Sequence, residues 1–281
     1  MRSRLMVNAL FFDYFCNMNS GKQVFGTEEW AVKNANFISG CFHNCKYCYS
    51  KEMAIRFKRK TSTNWEIEDV DNRKLLIKWK KIDGWIMFPS SHDITPLSLE
   101  HSIVFLNNLL ESGNKILIVT KPHLIVIEEI CNRFQLYKQS IMFRFTIGSA
   151  RNDTLKFWEL NAPSFDERRN CLLYAFNHGF NTSISCEPML DNSIEELVSI
   201  LSPYITDSIW IGKANFLLRR LKMNGIDDAD TLSKANDLIS LQSDEYIKVL
   251  YEKLNSNSKV KWKESIKKVV NLKVSTVKGI D

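Results

Sequence analysis

The sequence predicts an α/β fold, a partial (β/α)6 TIM-like barrel with a helical C-terminal extension. Compact apolar runs of strand length recur along the chain, and each run after the first is reached through a segment of helix length. Glycine or proline marks several of the boundaries between them. Strands that alternate with helices form parallel βαβ units with right-handed crossovers. Six such units make a partial barrel.

The elements follow in a regular order along the chain. The predicted strands span residues 35–40, 85–88, 115–120, 141–147, 180–186 and 208–211, and the helices between and after them span 50–60, 70–80, 97–112, 124–134, 163–178 and 193–201. From about residue 213 only helices are predicted, at 214–223, 228–241 and 244–255, before a lysine-rich tail. We therefore divide the chain into an N-terminal extension (1–33), a barrel (34–212) and a helical, lysine-rich C-terminal extension (213–281).

Composition narrows the class of protein. With 281 residues, 44% of them hydrophobic, the chain can bury a large core. The net charge of +6 permits an anionic partner without requiring one. The apolar stretch 5–12 is short, is interrupted by Asn8 and lacks a small-residue cleavage site, and no run approaches the roughly 18 apolar residues of a membrane span. We expect a cytoplasmic protein that makes no membrane contact.

Three of the seven cysteines form a compact motif. Cys41, Cys45 and Cys48 follow the first predicted strand at offsets of four and three residues, so one loop can bring three thiolates to one inorganic centre. Thiolates suit zinc or iron–sulfur clusters, and three of them leave one coordination position open. The alternatives are a zinc site with a distant fourth ligand and cysteines that are merely buried. His43, inside the same loop, could also serve zinc. The remaining cysteines are scattered and are predicted to be buried thiols: Cys16, Cys131, Cys171 and Cys186.

This motif resembles the cluster loop of radical S-adenosylmethionine enzymes, which have three cysteines in the same spacing and an aromatic residue before the third. The resemblance implies a partial barrel that binds a 4Fe–4S cluster and S-adenosyl-L-methionine. It also implies a one-electron reductant of the flavodoxin or ferredoxin type. The implied reaction is reductive cleavage of S-adenosylmethionine to a 5'-deoxyadenosyl radical that abstracts hydrogen from a substrate.

Polar residues follow several of the other predicted strands. Parallel barrels bind ligands at the C-terminal ends of their strands. Ser90, Ser91 and Asp93 follow the second strand, Lys121 follows the third and Ser149 follows the fourth. The hydroxyls suit the amino group of bound S-adenosylmethionine, the lysine suits its carboxylate and Ser149 suits its ribose. Helix capping for the first three residues and a surface cation for Lys121 are the alternatives.

A closer similarity is to the spore photoproduct lyase group and its DNA repair photolyase-like relatives. It implies a nucleic-acid base or nucleotide as substrate, contact of the turn serines and lysine with S-adenosylmethionine, and hydrogen relay by Tyr47 and Tyr49. The lyase has a hydrogen-donating cysteine after its second strand, whereas residues 85–96 contain none. Cys186 or a tyrosine would have to replace it. Stretches 185–190 and 209–212 also resemble a phage-associated, uncharacterised branch.

The lysine-rich tail has two interpretations. A basic run with an aromatic residue can track a nucleic-acid backbone, or it can be a solvated face. Its lysines, which lie around Trp262, are Lys259, Lys261, Lys263, Lys267, Lys268, Lys273 and Lys278. The competing functional hypothesis is accordingly a non-catalytic iron–sulfur or zinc protein that binds nucleic acid through this tail.

Overall fold

The computed structural model describes residues 23–279, and the predicted parallel α/β architecture is confirmed. The strands are β1 Lys33–Asn34, β2 Ile38–Ser39, β3 Asp69–Val70, β4 Trp85–Phe88, β5 Lys115–Thr120, β6 Ile141–Thr146, β7 Asn181–Cys186, β8 Ile209–Ile211 and β9 Val260–Trp262. Seven of them form one sheet in the order β1-β4-β5-β6-β7-β8-β9, with every neighbouring pair parallel.

The helices lie between the strands, as right-handed crossovers require. They are α1 Tyr49–Arg56, α2 Asn72–Leu75, α3 Leu99–Glu111, α4 Leu124–Arg133, α5 Asn152–Trp158, α6 Phe165–Asn177, α7 Ile194–Leu201, α8 Leu217–Met223, α9 Ala229–Leu241, α10 Asp244–Leu254 and α11 Glu264–Lys267. A 3₁₀ turn, Gly26–Glu29, precedes β1. None of the helices in the described part of the chain is both long and apolar enough to cross a bilayer.

Strand β5 shows how the sequence builds two apolar layers. Side chains alternate between the two faces of a strand. Ile116 and Ile118 pack into the main core with the helices, whereas Leu117 and Val119 join a smaller cluster on the other face that includes Trp210. Because both faces are buried, the strand is a continuous apolar run, as parallel sheets favour.

The first predicted strand and the second predicted helix differ from the structure. Lys33–Asn34 pairs with β4 in the main sheet, while Ile38–Ser39 forms an antiparallel pair with β3. The helix predicted at 70–80 shortens to α2, because Val70 belongs to β3 and the apolar residues Leu76 and Ile77 are exposed instead of forming a buried helical face.

The C-terminal segment contains a strand that the sequence analysis did not include. Strand β9 pairs in parallel with β8, with Ile211 opposite Trp262. Val260 and Trp262 are buried while Lys261 is exposed, so the alternation is present but spans only three residues of a lysine-rich stretch. The segment therefore completes the sheet as well as adding helices. Cys16 and most of the predicted N-terminal extension lie outside the described residues.

Candidate functional site

A cavity of about 340 Å³ opens at the C-terminal edge of the sheet, where the loops after β4, β5, β7 and β8 meet. This is the edge at which parallel barrels bind their ligands. Nine of the eleven predicted site residues line it: Cys41, Cys45, Tyr47, Cys48, Tyr49, Ser90, Ser91, Asp93 and Lys121. The predicted convergence of these groups on one cavity is therefore present in the fold.

Backbone contacts fix the loop that carries the three cysteines. Gly40 enters the loop with a φ of +105°, and a Cβ there would lie 2.0 Å from the carbonyl oxygen of Ile67, so only glycine fits. The amide of Cys41 donates to the Trp65 carbonyl at 2.9 Å. At the other end Cys48 caps α1, where its Sγ accepts a hydrogen bond from the Lys51 amide at 3.4 Å.

The three buried thiols of the loop are suited to binding a metal centre. Burial raises the pKa of each of Cys41, Cys45 and Cys48, so without a cation they remain protonated. A coordinated metal deprotonates its thiol ligands. Three soft sulfur donors that line one cavity, with space beside them, fit the 4Fe–4S cluster that the spacing predicts.

Asp93 joins three separate parts of the site. Its Oδ1 accepts hydrogen bonds from the Thr120 hydroxyl at 2.8 Å and the Lys121 amide at 2.7 Å. Its Oδ2 accepts from His43 Nδ1 at 3.0 Å and lies 3.6 Å from Lys121 Nζ and 3.9 Å from Cys41 Sγ. Burial alone would raise the pKa of Asp93, but Lys121 and His43 hold it well below its usual range. The Asp93 carboxylate therefore binds protein groups and holds Lys121 and His43 in position. This positioning role was not predicted from the sequence.

A pair of histidines extends this network. His43 Nδ1 donates a hydrogen bond to Asp93. The other ring nitrogen of His43, Nε2, lies 2.8 Å from His123 Nε2, so one of these two nitrogens donates a hydrogen bond to the other. Cys41, His43 and Asp93 offer ligand atoms within 4.8 Å of one another, which is the arrangement closest to a zinc site in residues 23–279. A zinc ion there would leave Cys45 and Cys48 without a role, although both line the same cavity.

Asn36 holds the serine turn and was missed by the sequence analysis. Its Oδ1 accepts hydrogen bonds from the amides of Ser90 at 2.8 Å and Ser91 at 3.0 Å, and its Nδ2 donates to the Ser90 hydroxyl at 2.8 Å. These bonds orient the turn toward the cavity. No local signal marks Asn36, because its partners lie 54 and 55 residues away in the chain.

The two tyrosines are anchored differently. Tyr47 is buried, and its hydroxyl donates to Glu159, which also forms a fully buried ion pair with Arg168 at 2.5 Å. Tyr49 is 43% exposed, and its hydroxyl donates to the carbonyl oxygen of Ser90. Burial raises the pKa of both phenols, so both remain neutral at physiological pH.

Two predicted residues do not line the cavity. Cys186 is fully buried in the main core, because alternation along β7 turns its neighbours Ser185 and Glu187 toward the cavity instead. Ser149 is also fully buried, and its hydroxyl binds Asp191 at 2.5 Å and accepts from the Arg151 amide at 2.8 Å. Cys186 and Ser149 therefore lie apart from the nine predicted site residues that line the cavity.

Glu187 lines the cavity and contacts Lys263, which forms a fully buried ion pair with Glu29. Lys263 Nζ lies 2.6 Å from Glu29 Oε1 and 3.5 Å from Glu187 Oε2, and it donates to the Gly26 carbonyl at 2.7 Å. Burial raises the pKa of Glu29 to about 7 in spite of this lysine, and burial also raises that of Glu187. Side chains alternate between the two faces of a strand, so a cavity-facing Ser185 predicts that Glu187, and not Cys186, also faces the cavity.

The lysine-rich tail does not form a continuous basic arm. Lys263 is buried, Lys259 donates to the carbonyls of Ser202 and Ile205, Lys268 lies 4.7 Å from the ring centre of Phe25, and Lys278 is paired with Glu28. These four of the seven lysines therefore contact the protein itself and are not all free to form one basic track.

Comparison with known proteins gives one viral relative and a set of solved structures. An uncharacterized protein of Acidianus two-tailed virus is 24% identical over 196 residues, which cover 65% of this chain. The match spans 63% of that relative's length. Spore photoproduct lyase with bound S-adenosylmethionine and dinucleoside spore photoproduct aligns with a TM-score of 0.53 at 12% identity, covering 87% of this chain and 79% of the lyase.

A second solved structure is similar to this chain in fold. Streptococcus suis SuiB bound to its precursor peptide SuiA aligns with a TM-score of 0.50 at 13% identity, covering 94% of this chain and 57% of SuiB. At such identities these alignments establish the fold alone. The sequence pattern of the Radical SAM superfamily matches residues 35–202, which include all three motif cysteines and the strands β2 to β7. The chain therefore belongs to the radical SAM superfamily of enzymes.

Proposed function

We propose that this enzyme cleaves S-adenosylmethionine reductively and uses the resulting 5'-deoxyadenosyl radical to abstract hydrogen from a nucleic-acid base or nucleotide. The observation that carries the proposal is the convergence of Cys41, Cys45 and Cys48 with Lys121 and the serine turn on one cavity. Enzymes of this superfamily use a 4Fe–4S cluster and S-adenosylmethionine, and the cluster, when bound, supplies the electron for cleavage. A flavodoxin- or ferredoxin-type protein is the proposed source of that electron.

In this proposal the protein positions the reactants. The three cysteines hold the cluster, and the Lys121 ammonium binds the carboxylate of S-adenosylmethionine. Burial would lower the pKa of Lys121, but Asp93 keeps it well above its usual value, so the side chain remains a cation. Ser90 and Ser91, oriented by Asn36, present hydroxyls toward the amino group. Ordered donors of this kind give their binding energy without reorganisation.

Hydrogen return to the substrate radical is assigned to the tyrosines. Both Tyr47 and Tyr49 line the cavity, whereas Cys186 does not. Tyr49 is the more exposed of the two, whereas Tyr47 is buried and its hydroxyl donates to Glu159. This arrangement supports Tyr49 as the residue nearest to a substrate and Tyr47 as the residue behind it.

The choice of nucleic acid as substrate rests on charge and on resemblance. The net charge of +6 favours an anionic partner. The structurally similar lyase binds a dinucleoside photoproduct, and the similar SuiB binds a peptide. A base within a duplex would have to be flipped out to reach a cavity at the edge of the barrel.

Anaerobic reconstitution with iron and sulfide tests the cleavage chemistry. We expect about four irons per chain and, after reduction, 5'-deoxyadenosine from S-adenosylmethionine. Transfer of substrate deuterium into 5'-deoxyadenosine from a labelled oligonucleotide, and not from a labelled peptide, would support the substrate. Stoichiometric zinc with no cleavage would instead establish the alternative, a non-catalytic metal protein.

Replacing Lys121 with alanine is expected to weaken S-adenosylmethionine binding about tenfold to hundredfold while the cluster is retained. Loss of one charge-assisted hydrogen bond accounts for this range. Anaerobic calorimetry on the reconstituted protein measures the affinity, and iron content measures the cluster. Lys115→Ala, at the exposed opposite end of the same strand, is the matched control. If Lys121→Ala lost its iron while Lys115→Ala retained it, Lys121 would be shown to support the cysteine loop and not to bind S-adenosylmethionine.

A further inference from the structure

An exposed basic and aromatic surface lies beside the mouth of the cavity, on helices α1 and α8 and on the residues that directly follow α1 and precede α8. We call it the rim surface. Its members are all exposed and are all cationic or aromatic: Arg56, Phe57, Lys58, Arg59, Phe216, Arg219 and Lys222. It combines five cations with two phenylalanines, and Glu52, the carboxylate that pairs with Arg219, is itself buried.

Packing between α1 and α8 brings the two halves of the rim surface together. Arg219 Nε lies 3.1 Å from Glu52 Oε1, and Asn224 Nδ2 donates to the Cys48 carbonyl at 3.0 Å. Later residues of α8 thus contact earlier residues of α1, which is an antiparallel arrangement. The start of α8, with Phe216, consequently lies at the same end as the exposed end of α1, with Phe57.

Both phenylalanines are presented to solvent in an unusual way. Phe216 is 65% exposed and has a left-handed φ of +55°, a conformation that is unfavourable for a bulky residue. The guanidinium of Arg219 lies 4.6 Å from its ring centre. Phe57 is 58% exposed, with Arg56 and Arg59 each 5.8 Å from its ring centre. Open aromatic rings beside arginines offer faces on which the bases of a single strand can stack.

The rim surface is continuous with the cavity. Lys213 and Asn215, which precede Phe216 in the loop after β8, line the cavity, as does Arg220. Arg220 also lies 6.0 Å from the ring centre of Tyr49, a residue of the cavity wall. A linear ligand can therefore lie on the rim surface and place one unit at the mouth of the cavity.

We propose that the rim surface binds single-stranded nucleic acid, with the phosphates contacting its arginines and lysines and two bases stacking on Phe57 and Phe216. Single strands bind to cations through their phosphates and to open aromatic rings through their unpaired bases. In a duplex the faces of the bases are stacked on one another and cannot reach such rings. This inference rests on the proposed nucleic-acid substrate, and it assigns recognition to helices α1 and α8 in place of the lysine-rich tail.

Fluorescence anisotropy with a fluorescein-labelled single-stranded 12-nucleotide DNA tests the proposal on the full, reconstituted chain. Phe57→Ala and Phe216→Ala should each weaken binding at least about fivefold. Arg59→Gln combined with Lys222→Gln should reduce the slope of log affinity against log salt by about 1.4, since each phosphate contact on a single strand contributes about 0.7. The matched controls Leu136→Ala and Arg73→Gln, both on exposed residues elsewhere, should leave affinity and slope unchanged.

Three results would overturn the proposal. The first is unchanged affinity in both phenylalanine variants, and the second is equal binding of the duplex form of the same DNA. The third is equally tight, phenylalanine-dependent binding of poly-glutamate or of phosphatidylserine vesicles, which would identify an acidic protein or a membrane as the partner. Circular dichroism of each variant confirms folding. Because the titration needs neither reductant nor S-adenosylmethionine, failure here is separate from failure of the cleavage assay.

Discussion

The Cys45→Ala variant is expected to fold but to lose essentially all of its iron and all production of 5'-deoxyadenosine. Cys45 is 5% exposed and supplies the middle thiol of the three that line the cavity. Removing its sulfur leaves two protein ligands for a cluster that needs three, while the alanine methyl group still fills most of the same apolar space. Iron analysis and visible absorbance after anaerobic reconstitution measure the loss.

A second cysteine of the chain provides the comparison for this variant. Cys186→Ala removes an equally buried thiol that faces the main core and not the cavity. We expect it to retain its iron. If Cys45→Ala and Cys186→Ala bound iron equally well, the assignment of the motif as the cluster site would be wrong.

The Arg168→Met variant is expected to lower the free energy of unfolding by about 3–5 kcal/mol. Arg168 and Glu159 are fully buried, and the guanidinium also donates to the carbonyls of Pro163 at 2.9 Å and Thr146 at 3.1 Å. Removing one member of a buried pair leaves the other as an uncompensated charge. For a chain of this size the loss corresponds to a decrease in Tm of roughly 6–20 °C.

The same variant is expected to disturb the cluster loop. Glu159, the partner of Arg168, also accepts a hydrogen bond from the hydroxyl of Tyr47 in that loop. Calorimetry measures the Tm, and Lys234→Met, which breaks an exposed pair with Asp230, serves as the control with little expected change. The Arg168→Met and Glu159→Met double variant should recover part of the stability, because apolar residues can replace a buried ion pair. A Tm for Arg168→Met equal to that of the control would contradict the assignment.

Local spacing and strand order were enough to predict the centre of the site. Three cysteines within eight residues must share one loop, and parallel strands must bring their C-terminal ends to one edge. Strand order brings the loops that carry Ser90, Ser91 and Lys121 to this edge. Side-chain bonds from Asn36 and Asp93 then fix the orientation of those loops.

Contacts between distant residues explain what was missed. The bonds of Asn36 to the serine turn, of Asp93 to His43 and of Arg168 to Glu159 depend on tertiary packing, which no pattern in adjacent residues reveals. The position of Cys186 has a simpler cause. Side chains alternate between the two faces at the end of β7, so Ser185 and Glu187 line the cavity while Cys186 packs into the main core.

The ion pair of Lys263 with Glu29 has a consequence for the order of events during synthesis. Lys263 also binds the carbonyl of Gly26, a residue that precedes it by 237 positions, and it follows directly after β9. A ribosome therefore produces Glu29 and the cysteine loop well before it produces Lys263. Burying the Glu29 carboxylate before that lysine is available would leave it without its cation, which is costly. We therefore expect the segment around Glu29 to close over the cavity only after β9 and Lys263 have been synthesised.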